Sequence, residues 1–136
     1  MKKAAALGGI LAAAALLFVI SVLAASEGGE EIVTLTTVES DGSALATRLW
    51  IVDDGGFAWL RSGMPDTRWL RQIESIPEVV VERGDEAIRH RAVPVRDSKV
   101  RDRIHSRMRN KYGWADRWVS LIRDGTQSVA VRLESP

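Results

Sequence analysis

Residues 48–81, RLWIVDDGGFAWLRSGMPDTRWLRQIESIPEVVV, read as strand, tight turn, strand, glycine-proline loop, short helix and strand. Two apolar runs meet through Asp53-Asp54-Gly55-Gly56, a sequence able to adopt the positive φ values that hairpin turns require. Asp66 stands where it can cap the helix, whose apolar side carries Trp69, Leu70 and Ile73. Pro77 cannot continue that helix and lets an extended Val79-Val80-Val81 run begin.

Outward from this centre the chain keeps alternating. Ile32 to Glu39 reads as a strand that turns at Asp41-Gly42. In the strand that follows, Leu45, Thr47, Leu49 and Ile51 alternate with Ala46, Arg48, Trp50 and Val52, so it has two distinct faces. Gly84-Asp85 turns the Val79 strand into a long one, Glu86 to Val95. Three hairpin signals in succession predict an antiparallel meander closing into a small barrel, and closure removes exposed strand edges. Then the period changes. Val100, Ile104 and Met108 fall four apart within a helix over Ser98 to Tyr112, which Gly113 terminates. A second helix is expected from Trp114 to Ile122. After Asp124-Gly125 comes a last strand in which Val129, Val131 and Leu133 alternate with polar residues.

The 136 residues bound one domain with an N-terminal appendage. Met1-Lys2-Lys3 precedes Ala4 to Ala25, an uncharged and mostly apolar run long enough to cross a hydrocarbon core of roughly 30 Å as a helix. The rival reading is a cleaved signal peptide, with Val22-Leu23-Ala24 or Ala24-Ala25-Ser26 as the cleavage site. The length of the run favours an uncleaved anchor. Lys2 and Lys3 hold the N-terminus in the cytoplasm, while the linker Glu27-Gly28-Gly29-Glu30-Glu31 carries no basic residue. The expected organisation is therefore a membrane anchor over 1–25, a linker over 26–31 and a domain over 32–136. That domain is periplasmic or otherwise extracytoplasmic, and secreted if the segment is cleaved.

Absence of cysteine excludes disulfides, thiolate catalysis and cysteine-ligated metal centres. A formal net charge of +1 offers no bulk attraction for nucleic acid. The basic helix Lys99 to Lys111 lacks interleaved stacking aromatics, so nucleic acid is not expected as a partner; its charges read as a solvated face or a contact with anionic lipid. His90 and His105 have no second ligand at metal spacing, so no metal site is expected. Neither a Ser-His-Asp grouping nor a glycine-rich phosphate loop occurs.

The LWIV strand, its glycine turn, the strand ending in Arg61-Ser62-Gly63, the Trp69-Leu70-Arg71-Gln72-Ile73 helix and the PEVVV run resemble the deazaflavin-dependent nitroreductase and quinone-reductase family. That family is a branch of the FMN-binding split β-barrel superfamily. Lys111-Tyr112-Gly113-Trp114-Ala115-Asp116-Arg117 is similar to its C-terminal helices, and the likeness runs from about Glu31 to Pro136. It implies a mainly β, α+β fold: a six-stranded antiparallel split barrel of the pyridoxamine-phosphate-oxidase type with short helices, here behind a transmembrane helix.

The resemblance also implies a homodimer that binds a deazaflavin (coenzyme F-420) or FMN at its interface and transfers hydride to a quinone or nitro compound. An anchor favours a membrane-soluble quinone. Arg48, Trp50, Trp59 and Arg61 would border the ring, and Ser62, Gly63, Arg68, Trp69 and Arg71 the phosphate-bearing tail. Helix N-terminal amides add to an anion site there. Tyr112 is the available proton donor, since reduction of a quinone needs a proton as well as a hydride. The five tryptophans suit stacking on a ring, and equally suit barrel cores and dimer contacts. The same holds for the arginines, which read as solvated groups if no anion binds. Where the family carries basic residues between its first two strands, this chain has Glu39 and Asp41, which repel an anionic tail. A non-catalytic module that keeps the fold and has lost its cofactor is the alternative.

Overall fold

The computed structural model describes residues 12–17, 31–122 and 125–136. Residues 12–17 are helical and belong to a unit separate from the domain that begins at Ile32. Among the described residues no helix is long and apolar enough to cross a membrane. The predicted span over 4–25 and its linker lie almost wholly outside those residues.

Six strands form the domain: β1 (Ile32–Val38), β2 (Ala44–Asp54), β3 (Phe57–Ser62), β4 (Glu78–Arg83), β5 (Glu86–Val95) and β6 (Val129–Glu134). Among the described residues of the domain three α-helices accompany them: α1 (Arg68–Ser75), α2 (Ser98–Tyr112) and α3 (Trp114–Ile122). The strands close into an antiparallel barrel in the order β1-β2-β3-β6-β5-β4. This corrects the expected simple meander. β3 and β4 are neighbours in sequence but not in the sheet, because α1 carries the chain between them and β6 returns to fill the place beside β3.

Two long strands make closure possible. β2 gives Ala44 to Trp50 to β1 and Ile51 to Asp54 to β3. β5 likewise gives Glu86 to Arg91 to β4 and Arg91 to Val95 to β6. Each is shared by two partners, so the sheet turns two corners and no edge is left open. The β2–β3 hairpin closes at Gly55 and Gly56, with φ 61° and 83°, the doubly positive turn that matches strand twist.

Strand parity then sorts the side chains. Val33, Leu35, Ile51, Leu60, Val79, Val81, Ala92, Val129, Val131 and Leu133 fill the interior. The apolar side of α1, namely Trp69, Leu70 and Ile73, joins the same core. Thr67, not Asp66, is the N-cap of α1, and it makes no side-chain capping bond to the helix. Extended backbone at Ile76 ends the helix before Pro77, which disfavours helical geometry in its predecessor.

A second core lies outside the barrel. Ile104, Met108 and Tyr112 of α2 are buried against Val52, Trp59 and Ala130, so α2 covers the outer face of β2, β3 and β6. The expected stripe is present, with Val100 half-buried at its start. Asp97 caps α2, its carboxylate accepting from the amides of Lys99 (2.8 Å) and Val100 (3.1 Å).

Candidate functional site

The outward residues of β2 run from Val52, covered by α2, through half-buried Trp50 to exposed Arg48. Two side chains contact the Trp50 ring. The ring of Tyr112 stacks on it with centroids 4.3 Å apart, and the guanidinium of Arg61 lies 5.8 Å from its ring centre. Its neighbour across the β1 ladder is exposed Ile32. Among the expected ring contacts, Arg48 and Trp50 are the two that the domain leaves open to a ligand or to another chain.

Arg61 lies mostly below the surface. It donates from Nη2 to Asp116 Oδ1 at 2.8 Å and from Nη1 to His105 Nδ1 at 2.9 Å. Side-chain exposure is 12% for Arg61 and 3% for Asp116, so the ion pair is a buried one. Because Nδ1 of His105 accepts, the proton of the neutral ring is on Nε2, which donates to the Gly125 carbonyl at 2.9 Å. Burial holds the His105 pKa below its ordinary value, the Gly125 bond works against that, and the nearby guanidinium of Arg61 reinforces it.

The other expected contacts are placed inside the fold. Trp59 is buried beneath α2, its Nε1 donates to the Asp54 carbonyl at 3.1 Å, and the guanidinium groups of Arg103 and Arg132 cover it. Trp69 belongs to the barrel core. Ser62 is buried, with its hydroxyl on the Met64 carbonyl and the Thr67 hydroxyl, where it ties the loop before α1. Tyr112 is buried too. Its hydroxyl accepts from the Ile51 amide at 3.0 Å and lies 3.1 Å from the Ile51 carbonyl, to which it donates. These four side chains therefore meet protein rather than solvent.

The expected tail position lies apart from Trp50: Trp50 pairs with Ile32 at the start of β1, and the tail position is beside Val38 at its end. Arg68, Arg71, Gln72 and Ser75 are spaced as one stripe along α1. With Val38, Glu39 and Ser40 they line an open depression of about 380 Å³. Within it Glu39 takes Arg68: its Oε1 accepts from Arg68 Nε at 2.8 Å, from Arg68 Nη2, and from Gln72 Nε2 at 2.7 Å. The bond from Arg68 holds the Glu39 carboxyl below its ordinary pKa. Arg71 lines the same depression, exposed and with no side-chain partner among the described residues. Two guanidinium groups, two hydroxyls and an amide are a donor set that suits a phosphate. Gly63 is half-buried in the loop between β3 and α1.

Gln72, His105 and Asp116 thus join the site without having been expected there, and Glu39, read in the sequence as an acid that repels an anionic tail, joins it through Arg68. Asp116 was visible inside the Lys111–Arg117 motif, as a carboxylate between two tryptophans of an apolar helix. Among the described residues no group of three or more metal-ligating side chains is present.

No protein-family model matches this sequence, and no curated protein does. Solved structures share its fold. A Listeria innocua protein described as a pyridoxamine 5′-phosphate oxidase superposes with a TM-score of 0.59 at 19% identity, over 83% of this chain and 89% of its own. An F-420 reductase gives 0.55 at 16% identity, over 80% and 89%. The heme storage protein HutZ from Vibrio cholerae gives 0.61 at 17% identity, over 85% and 88%. Likeness at these identities is one of architecture. It defines the class by architecture: a split β-barrel like that of the pyridoxamine-phosphate-oxidase-type structure it superposes on.

Proposed function

We propose that this chain is a membrane-tethered split-barrel protein that holds the ring of a flavin or of the deazaflavin coenzyme F-420 on the outer face of β2, at a contact between two copies. The observation that carries this reading is the half-buried indole of Trp50, stacked on Tyr112 and near the Arg61 guanidinium, beside exposed Arg48. An aromatic wall already packed in place orients a planar ligand with little loss of freedom on binding. On α1 exposed Arg71 is the cation open to an anionic tail, Arg68 being taken by Glu39. When bound, such a ring supplies the hydride, here passed to a quinone or nitro compound. The chain's own part is to place the ring, exclude water from one of its faces and present a positive side chain at Arg48.

A two-copy arrangement accords with exposed Ile32 and Arg48 on the outer faces of β1 and β2, and one structure of like fold is described as a domain-swapped dimer (TM-score 0.60, 16% identity). The basic start and apolar run before the domain support tethering with the barrel outside the cytoplasm, and a tether favours a lipid-soluble quinone as acceptor.

Titration of the full chain in mild detergent with FMN and with the deazaflavin tests this. Quenching of tryptophan fluorescence with micromolar affinity supports the reading, and the loss of that quenching in Trp50→Leu places the ring. No binding of either cofactor at high micromolar concentration favours the second reading, a non-catalytic interaction module. One observation speaks for that module: the Arg68 guanidinium already has an intramolecular carboxylate.

A further inference from the structure

We infer that Glu39 is a built-in anion that occupies the Arg68–Gln72 cradle and makes the face discriminate against ligands with phosphate or carboxylate tails. This deepens the ring-binding reading given above, and rests on it for the choice of flavin probes.

The turn between β1 and β2 presents this carboxylate in a fixed way. The Glu39 amide donates to the Ser43 carbonyl at 2.8 Å, and the Gly42 amide donates to the Glu39 carbonyl at 2.9 Å, so the backbone is closed on both sides of the turn. Asp41 is turned to other work, accepting from the Ser43 amide at 2.8 Å and the Ser43 hydroxyl at 2.6 Å. Of the two acids in the turn, Glu39 alone reaches α1 with a hydrogen bond among the described residues.

On the α1 side the cradle is equally fixed. Gln72 is buried, and its amide oxygen accepts from the hydroxyl of fully buried Thr37. That bond orients the amide so that its NH₂ group must face the turn, where Glu39 Oε1 takes it. One carboxylate oxygen thus receives Arg68 Nε, Arg68 Nη2 and Gln72 Nε2. Three N–H donors converging on one oxygen is the environment that a phosphate oxygen seeks.

An anionic tail therefore cannot take the Nε–Nη2 edge of Arg68 or the Gln72 amide without dislodging Glu39, and the dislodged carboxylate stays tethered nearby as a like charge. A neutral tail meets neither penalty. Discrimination between otherwise equal ligands follows from the repulsive element as much as from the attractive one.

Riboflavin and FMN differ by the phosphate alone, so their affinities for the full chain in detergent isolate its effect. For the unaltered protein the two should agree within about threefold. In Glu39→Ala, FMN should bind at least tenfold tighter than riboflavin, and in Glu39→Ala/Arg68→Ala that preference should vanish. In parallel, the ¹⁵Nε–H signal of Arg68 should move on titration with millimolar inorganic phosphate in Glu39→Ala and stay in place in the unaltered chain. A tenfold FMN preference in the unaltered protein overturns the inference, and so does an unmoved Arg68 signal in Glu39→Ala. If neither flavin binds any variant while the Arg68 signal moves as expected, the inference stands and the ring-binding reading falls.

Discussion

Trp50 and Tyr112 lie face to face, their ring centroids 4.3 Å apart and their planes within 9° of parallel. The contact joins β2 to the last residue of α2 across 62 positions of sequence. It is reinforced from behind, because the Tyr112 hydroxyl bridges both polar groups of the Ile51 peptide units beside it, accepting from the amide and donating to the carbonyl. Tyr112→Phe keeps the stacked ring and removes the bridge. An interior amide left without its partner costs about 1–3 kcal/mol. The melting temperature of Tyr112→Phe should accordingly fall by about 4 °C or more, on the scale of 4–8 °C per kcal/mol for a domain near this size. Thermal unfolding followed by circular dichroism reads this directly. An unchanged melting temperature would show that the bridge is dispensable, leaving the hydroxyl available as a proton donor.

Arg61 and Asp116 form a pair that neither partner tolerates losing alone. Arg61→Ala leaves the Asp116 carboxylate, 3% exposed, without its guanidinium. Breaking one side of a buried pair typically costs about 3–5 kcal/mol, whereas replacing both sides is often close to neutral. Urea denaturation of Arg61→Ala, Asp116→Ala and the double variant should therefore give a strongly coupled cycle, with the double variant more stable than the sum of the singles predicts. Additive losses would mean that the two side chains act independently.

Gly113 stops α2 at φ 57° and ψ −123°, a combination that side-chain-bearing residues rarely adopt. A Cβ built there meets nothing within 4 Å, so the demand comes from the backbone and not from crowding. Gly113→Ala should lower stability by about 1–3 kcal/mol through strain alone. Its consequence is local: amide hydrogen exchange should quicken at the α2–α3 junction while β1 and β4 keep their protection. Uniform loss of protection across the barrel would contradict a local origin.

How much of this was legible in the sequence divides by range. The β2–β3 turn was readable because two glycines supply what its backbone needs within four residues. The core sides of α1 and α2 were readable because Trp69, Leu70 and Ile73, and Ile104 and Met108, recur at helical spacing. Pairing of β3 with β6 and of β1 with β4 was not, since both are non-local and nothing at Ser62 or Val129 announces a partner so distant. The site suffered from the same limit. Trp59, Trp69 and Ser62 have the composition of a ligand-binding surface, but whether each faces inward or outward follows from strand parity and from which helix lies on top. Arg61 looked like a free cation because its two partners, His105 and Asp116, are 44 and 55 residues away. Glu39 was visible as an acid in the wrong place for an anionic tail, and only the folded turn brings it onto Arg68.

His105 makes the stability of this arrangement depend on pH. Its Nδ1 must stay unprotonated to accept from Arg61, and a second ring proton would face a guanidinium across 2.9 Å. Burial, aided by the Arg61 charge, lowers its folded-state pKa below the ordinary value of 6.5. The sign follows from which state holds more protons. Between the folded pKa and about 6.5 the unfolded chain takes up a proton that the folded chain refuses, so stability rises with pH through that interval. The contribution is complete above 6.5 and is lost as pH falls through the folded value. Glu39 and Asp53 also have lowered pKa values, held down by Arg68 and Arg83, but their reference values of 4.5 and 3.8 put their losses in a more acidic range. Urea midpoints measured from pH 8 down to pH 5 should therefore decline below about pH 6.5 in the unaltered chain. In His105→Gln, whose amide can accept from Arg61 and donate to Gly125 without titrating, that decline should be absent. Parallel curves for the two proteins would move the origin of any acid sensitivity away from His105.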